Sequence, residues 1–355
     1  MRIFFSSYKY DYGKKDWGYS FEYINFYKTL KAMKNIDKVF FYPMDQINLY
    51  GKKKFNEKLY KIISNNKFDI CFFFMFKDEF SSSFLKKIKS DNNTKTIAWM
   101  SDDHWRFDSY SKYQAPSFNW IATTDKNSIE KYHKIGCKNI IYSQWGFNEL
   151  EYKPKIKEKL KYDVSFIGQP HSNRKKYISK LEKDNIDVYC RGQGWNKGRV
   201  NFSEMVNIFF NSKININFTS SSNVINFKNI IKIFIKKKGY KFQLNSFNEI
   251  ISNAKIIFQK KTYQIKGRIF EITGAGGFLL TEKADFLEKY FKIGEEIDTF
   301  ENYSELKDKI KFYLTNKDLR QEIARKGQDR ILRDHTYSQR LNHIFNKIMK
   351  NSLDE

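Results

Sequence analysis

Apolar positions along this chain follow two alternating rhythms. In short runs such as "RIFFS" (2–6), "KVFFYP" (38–43) and "FDICFFFMF" (68–76), nearly every residue is apolar. Between them lie stretches where apolar residues return every three or four positions. A short continuous run suits a strand buried on both faces, and the longer spacing suits a helix with one buried face. The pattern predicts a helix over "GYSFEYINFYKTLKAM" (18–33) and another over "SSSFLKKIKS" (81–90), which opens on serine. "KTIAWMS" (95–101), "WIATTD" (120–125) and "NIIYSQW" (139–145) read as strands, with the helix "SIEKYHKIG" (128–136) ending in glycine. Strands alternating with helices predict a parallel sheet covered on both faces.

The segment 148–163 is polar, carries Pro154 and reads as a linker. The alternation then restarts. "DVSFIG" (163–168), "IDVYCRG" (186–192), "ININFTSS" (214–221) and "FLLTE" (278–282) read as strands. Residues 173–184, 203–213, 303–316 and 317–335 read as helices, and an amphipathic helix (338–350) closes the chain. The expected fold is α/β, with two doubly wound Rossmann-like domains, 1–155 and 156–335, and a closing helix in 336–355.

Composition supports two packed cores. The chain has 355 residues, 41% of them hydrophobic and 18% aromatic, which argues against disorder. The opening "MRIFFSSYKYDYG" reads as a strand and turn rather than a leader. The most apolar run, 70–76, is too short to span a bilayer. Cys71, Cys137 and Cys190 lie far apart and suit free thiols in a reducing cytoplasm. The formal net charge is +25, carried by 54 lysines and 11 arginines. A basic chain invites polyanions. Phosphate and base recognition favour arginine, however, and a lysine-heavy composition also arises from genome bias. One stretch stands apart: residues 219–266 hold ten lysines and one acid, Glu249.

"QIKGRIFEITGAGGFLLTE" (264–282) concentrates the candidate chemistry. A helix starting near Gly267 would offer free N–H groups and a positive dipole end to an anion. Lys266 and Arg268 add charge there. Glu271, one turn on, can face the same side, and a carboxylate accepts hydrogen bonds from a diol. Gly274, Gly276 and Gly277 can end the helix and admit close backbone approach. A nucleoside diphosphate fits this set, and so does an ordinary glycine-capped helix with surface charges.

The same motif, followed by "LEKYFKIGEEIDTFENYSEL" and "IARKGQDRILRDHTYSQR", resembles the CgeB-like (spore-maturation type) glycosyltransferases. "VSFIGQPHSNRKKYI", "IAWMSDDHWRF" and "SQWGFN" extend the resemblance over nearly the whole chain, except the lysine-rich insertion at about 219–262. The resemblance implies a GT-B fold whose two domains face a cleft. It also implies a metal-independent enzyme, without cofactor, that uses a nucleoside diphosphate sugar and retains configuration. Glu271 resembles the ribose-binding glutamate, and Lys266 and Arg268 resemble donor-phosphate contacts. Related enzymes carry a second glutamate eight residues earlier, where this chain has Tyr263; the donor-sugar contact departs from the pattern.

Gly168 ends a strand at the crevice and is a donor-binding candidate; Arg174, at the helix start after it, can reach a donor diphosphate or be a solvated helix-start cation. Asp102 and Asp103 follow another strand and can orient or deprotonate an acceptor hydroxyl, or cap the next helix. The loop 11–23 reads as acceptor-side or as a plain connection. No two aspartates are spaced two apart, and histidines 104, 133, 171, 335 and 343 show no ligand spacing, so no metal is expected.

The expectation is a cytoplasmic glycosyltransferase acting on a glycan, lipid-linked glycan or protein hydroxyl. One alternative is a non-catalytic nucleotide- or sugar-binding relative. The other is a nucleic-acid-binding protein, which the charge suggests but no motif supports. Residues 225–241 read as a basic amphipathic helix, suited to an anionic membrane surface or to packing on the second domain.

Overall fold

The computed structural model describes residues 1–91, 94–152, 160–171, 173–220 and 263–351, with short pieces of 231–254. The chain divides into two compact units, Met1–Glu151 with Thr336–Glu355, and Tyr152–His335.

The first unit is built on six strands: β1 Arg2–Ser6, β2 Lys38–Phe41, β3 Ile70–Phe74, β4 Lys95–Met100, β5 Trp120–Thr123 and β6 Ile140–Tyr142. They lie in the order β2-β1-β3-β4-β5-β6, and every neighbouring pair is parallel. Side chains alternate between the sheet's two faces, so an apolar run feeds two cores at once. Phe4, Cys71, Phe73 and Ala98 pack with Phe55, Leu59 and Ile63 of α2 (Ile47–Ser64) and with Leu85 and Ile88 of α3 (Ser82–Asp91). Ile3, Phe5, Phe72, Phe74 and Trp99 pack on the other face with Leu30 of α1 (Lys28–Ala32). The closing helix Tyr337–Asn351 completes that second core with Leu341, Ile344, Phe345 and Ile348.

Two features depart from the expected pattern. The helix expected from Gly18 begins later, because Gly18 sits at φ 80° and Tyr10 bridges Tyr19. A π-turn at Tyr23–Tyr27 then leads into α1. Helix α2 was not among the expected elements. Its apolar positions 55, 59 and 63 have helical spacing, but Gly51 at φ 72° interrupts its first turns.

Strand β4 is followed by a short helix, α4 (Asp103–Arg106), a π-turn Phe107–Ser111 and the single turn α5 (Lys112–Gln114). Helix α6 spans Ser128–Lys134.

The second unit contains β7 Tyr162–Ile167, α7 Arg174–Lys183, β8 Val188–Arg191, α8 Phe202–Phe210 and β9 Ser212–Asn217. After the insertion come α9 Gly267–Gly274, β12 Leu279–Glu282, β13 Asp298–Phe300, α10 Tyr303–Thr315 and α11 Lys317–Asp334. Its sheet runs in the order β13-β12-β9-β7-β8 with parallel pairing throughout. The helix closing the chain, α12, is the Tyr337–Asn351 element of the first unit.

The lysine-rich insertion corrects one expectation. Ile235–Lys238 (β10) and Lys241–Leu244 (β11) pair antiparallel, with Lys238 opposite Lys241. A helix over 225–241 therefore does not extend through this stretch. Gly239, a poor helix former, stands between the two strands in sequence. Residues 221–230, where the rest of that helix was expected, lie outside the described residues.

Candidate functional site

In a doubly wound sheet, ligands bind beyond the carboxyl ends of the strands where the strand order reverses. In the second unit that point lies between β7 and β9, since the chain moves from β7 out to β8 and returns on the other side.

Arg174 spans this point. It is the first residue of α7, and its guanidinium donates to the carbonyl of Gln169 after β7 (3.2 Å) and to that of Phe218 after β9 (3.4 Å). Its Nε has no hydrogen-bond partner among the described residues. Burial lowers its pKa, Glu282 opposes the shift, and Arg268 adds to it. Arg174 thus lies within electrostatic reach of Glu282 and Arg268. Gly168 packs tightly into the wall of this point. Its carbonyl accepts from Trp195 Nε1 at 2.7 Å, and a Cβ on Gly168 would lie 2.8 Å from the Phe166 ring.

Glu282 ends β12 and is buried. One carboxylate oxygen accepts from the backbone N–H groups of Thr219 (3.0 Å) and Ser220 (2.8 Å), which fixes the chain leaving β9. Its position at the end of "FLLTE" was the available signal, since a charge closing an apolar strand in such a sheet falls at the crevice.

Helix α9 enters from the same edge. Lys266 is its N-cap, with no side-chain cap bond, and its Nζ donates to Gln264 Oε1 at 2.7 Å. Arg268 Nη1 donates to Glu271 Oε2 at 2.5 Å and lies 2.6 Å from Met205 Sδ. The Arg268 guanidinium also stands 5.4 Å from the centre of the Phe209 ring. Glu271 is 3% exposed, and its other oxygen accepts from the Tyr152 hydroxyl. Tyr263, in place of the expected second glutamate, bridges Ser220 through its backbone and leaves its side chain exposed.

The glycines sit elsewhere. An eight-residue helix is about 12 Å long, and α9 runs opposite to the strands, so Gly274 ends it near the strands' amino edge. Gly276 has φ 77°, and a Cβ there would lie 3.0 Å from Gln328 Nε2. A Cβ on Gly277 would lie 2.8 Å from Asn215 Nδ2 and 3.0 Å from the Phe209 carbonyl. Gly276 and Gly277 allow close packing inside the unit, and the structure does not bring them together with Arg268 and Glu271's crevice.

In the first unit the strand order reverses between β1 and β3. Of the two aspartates expected there, Asp103 is enclosed. Thr123 Oγ1 and the Tyr132 hydroxyl both donate to its Oδ2, at 2.5 and 2.7 Å. Burial pushes its pKa up to about 6 against these stabilising bonds. At 1% exposure, and with both of these donors coming from the first unit's own packing, Asp103 has a structural role in this arrangement. Asp102, half-buried, is the N-cap of α4 without a side-chain cap bond, and its carbonyl accepts from Arg106 N at 2.9 Å.

Other acidic groups of the first unit, missed in sequence, gather after β1, β2 and β3. The Tyr8 hydroxyl lies 3.5 Å from Glu79 Oε1, and burial raises the pKa of both. Asp45 holds the loop after β1 by accepting from Lys9 N (2.6 Å) and Tyr10 N (3.1 Å). Glu22 is poorly hydrated and titrates at about 7, with Asp11 and Asp45 adding to the upward shift. Among the described residues no three His, Cys, Asp or Glu side chains are grouped to hold a metal.

A family model described as "Glycosyl transferase-like" matches residues 235–346, which include α9 and both of its charged groups. No curated protein matches the chain in sequence. Solved structures match its fold over nearly its whole length. Anabaena Alr3699/HepE, crystallised with UDP and glucose, has TM-score 0.63 at 9% identity, covering 99% of this chain and 100% of that one. A sucrose-phosphate synthase from Thermosynechococcus elongatus has TM-score 0.60 at 8% identity, with 99% of each chain covered. A glycosyltransferase from Rickettsia africae has TM-score 0.54 at 13% identity, again with 99% of each covered. At such identities the likeness concerns fold. Residues 235–346 are glycosyl transferase-like in sequence, and the chain as a whole has the GT-B fold.

Proposed function

We propose that the protein is a glycosyltransferase that moves a sugar from a nucleoside diphosphate sugar to a hydroxyl of a glycan, lipid-linked glycan or protein. The observation that carries this reading is the Arg268–Glu271 pair on α9, inside the glycosyl transferase-like region, on the same crevice as Arg174. The UDP and glucose bound to Alr3699/HepE support the donor class. Glu271 would accept from the ribose hydroxyls. Arg174, Arg268 and Lys266 would draw charge from the departing diphosphate, as a divalent ion does in other transferases. Catalysis is then mostly positioning and electrostatics. Asp102 is the acceptor-side candidate. Retention of configuration, the CgeB-like subtype and a cytoplasmic site of action belong to the same reading, and no helix among the described residues is long and apolar enough to cross a membrane.

Calorimetric titration of UDP, GDP and ADP tests the donor assignment. Glu271→Ala is expected to weaken the best of them by about 1.5–3 kcal/mol, the scale of hydrogen bonds to a charged group. An unchanged affinity in a normally folded variant would reduce Glu271 to a packing residue. One observation favours a second reading, a binding protein without turnover: Tyr263 stands where a donor-sugar carboxylate is expected. Nucleotide binding without any donor hydrolysis or transfer would select it.

A further inference from the structure

We infer that Tyr152 is a positioning residue for the donor's ribose, acting through Glu271; this rests on the reading of Glu271 as the ribose acceptor. Tyr152 opens the second unit, 119 residues before its partner, and is 4% exposed. Its ring meets that of Phe202, the first residue of α8, edge to face at 4.7 Å and 84°. Such packing fixes the ring, and its hydroxyl points at Glu271 Oε1.

A carboxylate has about four acceptor sites, two on each oxygen. Arg268 takes one on Oε2 and Tyr152 takes one on Oε1. Among the described residues these are its two side-chain partners, leaving one site on each oxygen, which is what a cis diol donating two hydrogen bonds needs. Charge balance alone does not call for the tyrosine, because Arg268 already neutralises Glu271. What the phenol adds is orientation. A glutamate side chain has several rotors, and one anchor leaves it free to swing about the ion pair. Two anchors on opposite oxygens fix the carboxylate plane before ligand arrives, so less freedom is lost on binding. Phenol and guanidinium therefore act as a two-point mount, and the donor's diol meets a preset acceptor.

The test compares the best-bound of UDP, GDP and ADP with its 2′,3′-dideoxy form, on the full chain. Wild type is expected to prefer the ribose form by about tenfold or more. Glu271→Gln should erase that preference. Tyr152→Phe should cut it to about threefold or less while leaving dideoxy affinity unchanged, a split that loss of packing would not produce. If Tyr152→Phe does not fold, Phe202→Leu keeps the hydroxyl but loosens the ring, and should give an intermediate preference. A Tyr152→Phe protein with full wild-type preference overturns the inference. So does one that binds the ribose form more tightly, which would make the phenol a competitor for the diol. A wild type that binds both forms equally removes the ribose role of Glu271 itself, whereas preference lost in Glu271→Gln but kept in Tyr152→Phe removes only Tyr152.

Discussion

Asp103 titrates near pH 6 because its burial beneath Thr123 and Tyr132 disfavours the charged form. Its folded pKa lies above the ordinary 3.8. The stability it contributes is therefore fully present below about pH 4 and is lost as pH rises through about 6. A shift of that size corresponds to about 3 kcal/mol at most. Asp103→Asn removes the titration while keeping an oxygen to accept from the two hydroxyls. Chemical unfolding of both proteins from pH 4 to 7.5 should show wild type losing stability relative to the variant across that window. Parallel curves would show that Asp103 does not titrate there. Glu22 adds a loss of the same sign at higher pH, up to about 7. Asp102 and Asp103 are adjacent and read alike in sequence. What separates them is a pair of partners 20 and 29 residues away, and local spacing cannot report such pairing. Tyr152 escaped notice for the same reason, since only the fold brings it to Glu271.

Elements were far more legible than residues, and the glycines show why. A strand buried on both faces must be apolar throughout, so β1, β3, β4 and β7 announce themselves from local pattern alone. The glycines after α9 announce only backbone freedom, and the structure spends that freedom on packing. Gly327 of α11 shows the same economy, for a Cβ there would lie 2.1 Å from the carbonyl oxygen of Glu296 and 2.7 Å from Thr273 Cγ2 of α9. Two effects of Gly327→Ala oppose each other. Helix propensity favours alanine by roughly 1 kcal/mol. Overpacking against a backbone atom costs about 1–3 kcal/mol or more, because neither helix nor loop can yield cheaply. With a backbone oxygen only 2.1 Å away the clash falls at the upper end of that range, so Gly327→Ala should lower the free energy of unfolding measured by denaturant titration by roughly 1–2 kcal/mol net. A stabilised variant would mean that the α9–α11 contact is looser than its geometry indicates. Helix α2 was missed although Phe55, Leu59 and Ile63 have the right spacing, because Gly51 and a lysine triplet break the pattern where the helix begins.

Across the whole molecule, a net charge of +25 carried mainly by lysine guarantees attraction to any polyanion at low salt, so charge alone does not name a partner. Its distribution is more informative. The insertion concentrates lysine almost without acid, and three of its lysines occupy consecutive positions in β10, opposite β11. Because Ile235–Lys238 and Lys241–Leu244 pair as antiparallel strands, a single interfacial helix running through 225–241 is not available. Of the membrane expectation for 225–241, we propose only electrostatic attachment, worth about 1 kcal/mol for each lysine close to an anionic surface. Attachment of that kind is reversible and suits an enzyme whose acceptor is built on a lipid. Wild type should sediment with phosphatidylserine-containing vesicles at low salt and release as salt rises to physiological strength and above. Changing Lys236, Lys237 and Lys238 together to Glu should abolish sedimentation and leave nucleotide affinity as it was. If the triple variant still sediments like wild type, the attraction belongs to the diffuse charge of the whole chain. If wild type itself stays in solution at about 0.01 M salt, where charges act over about 30 Å, the insertion has no membrane role.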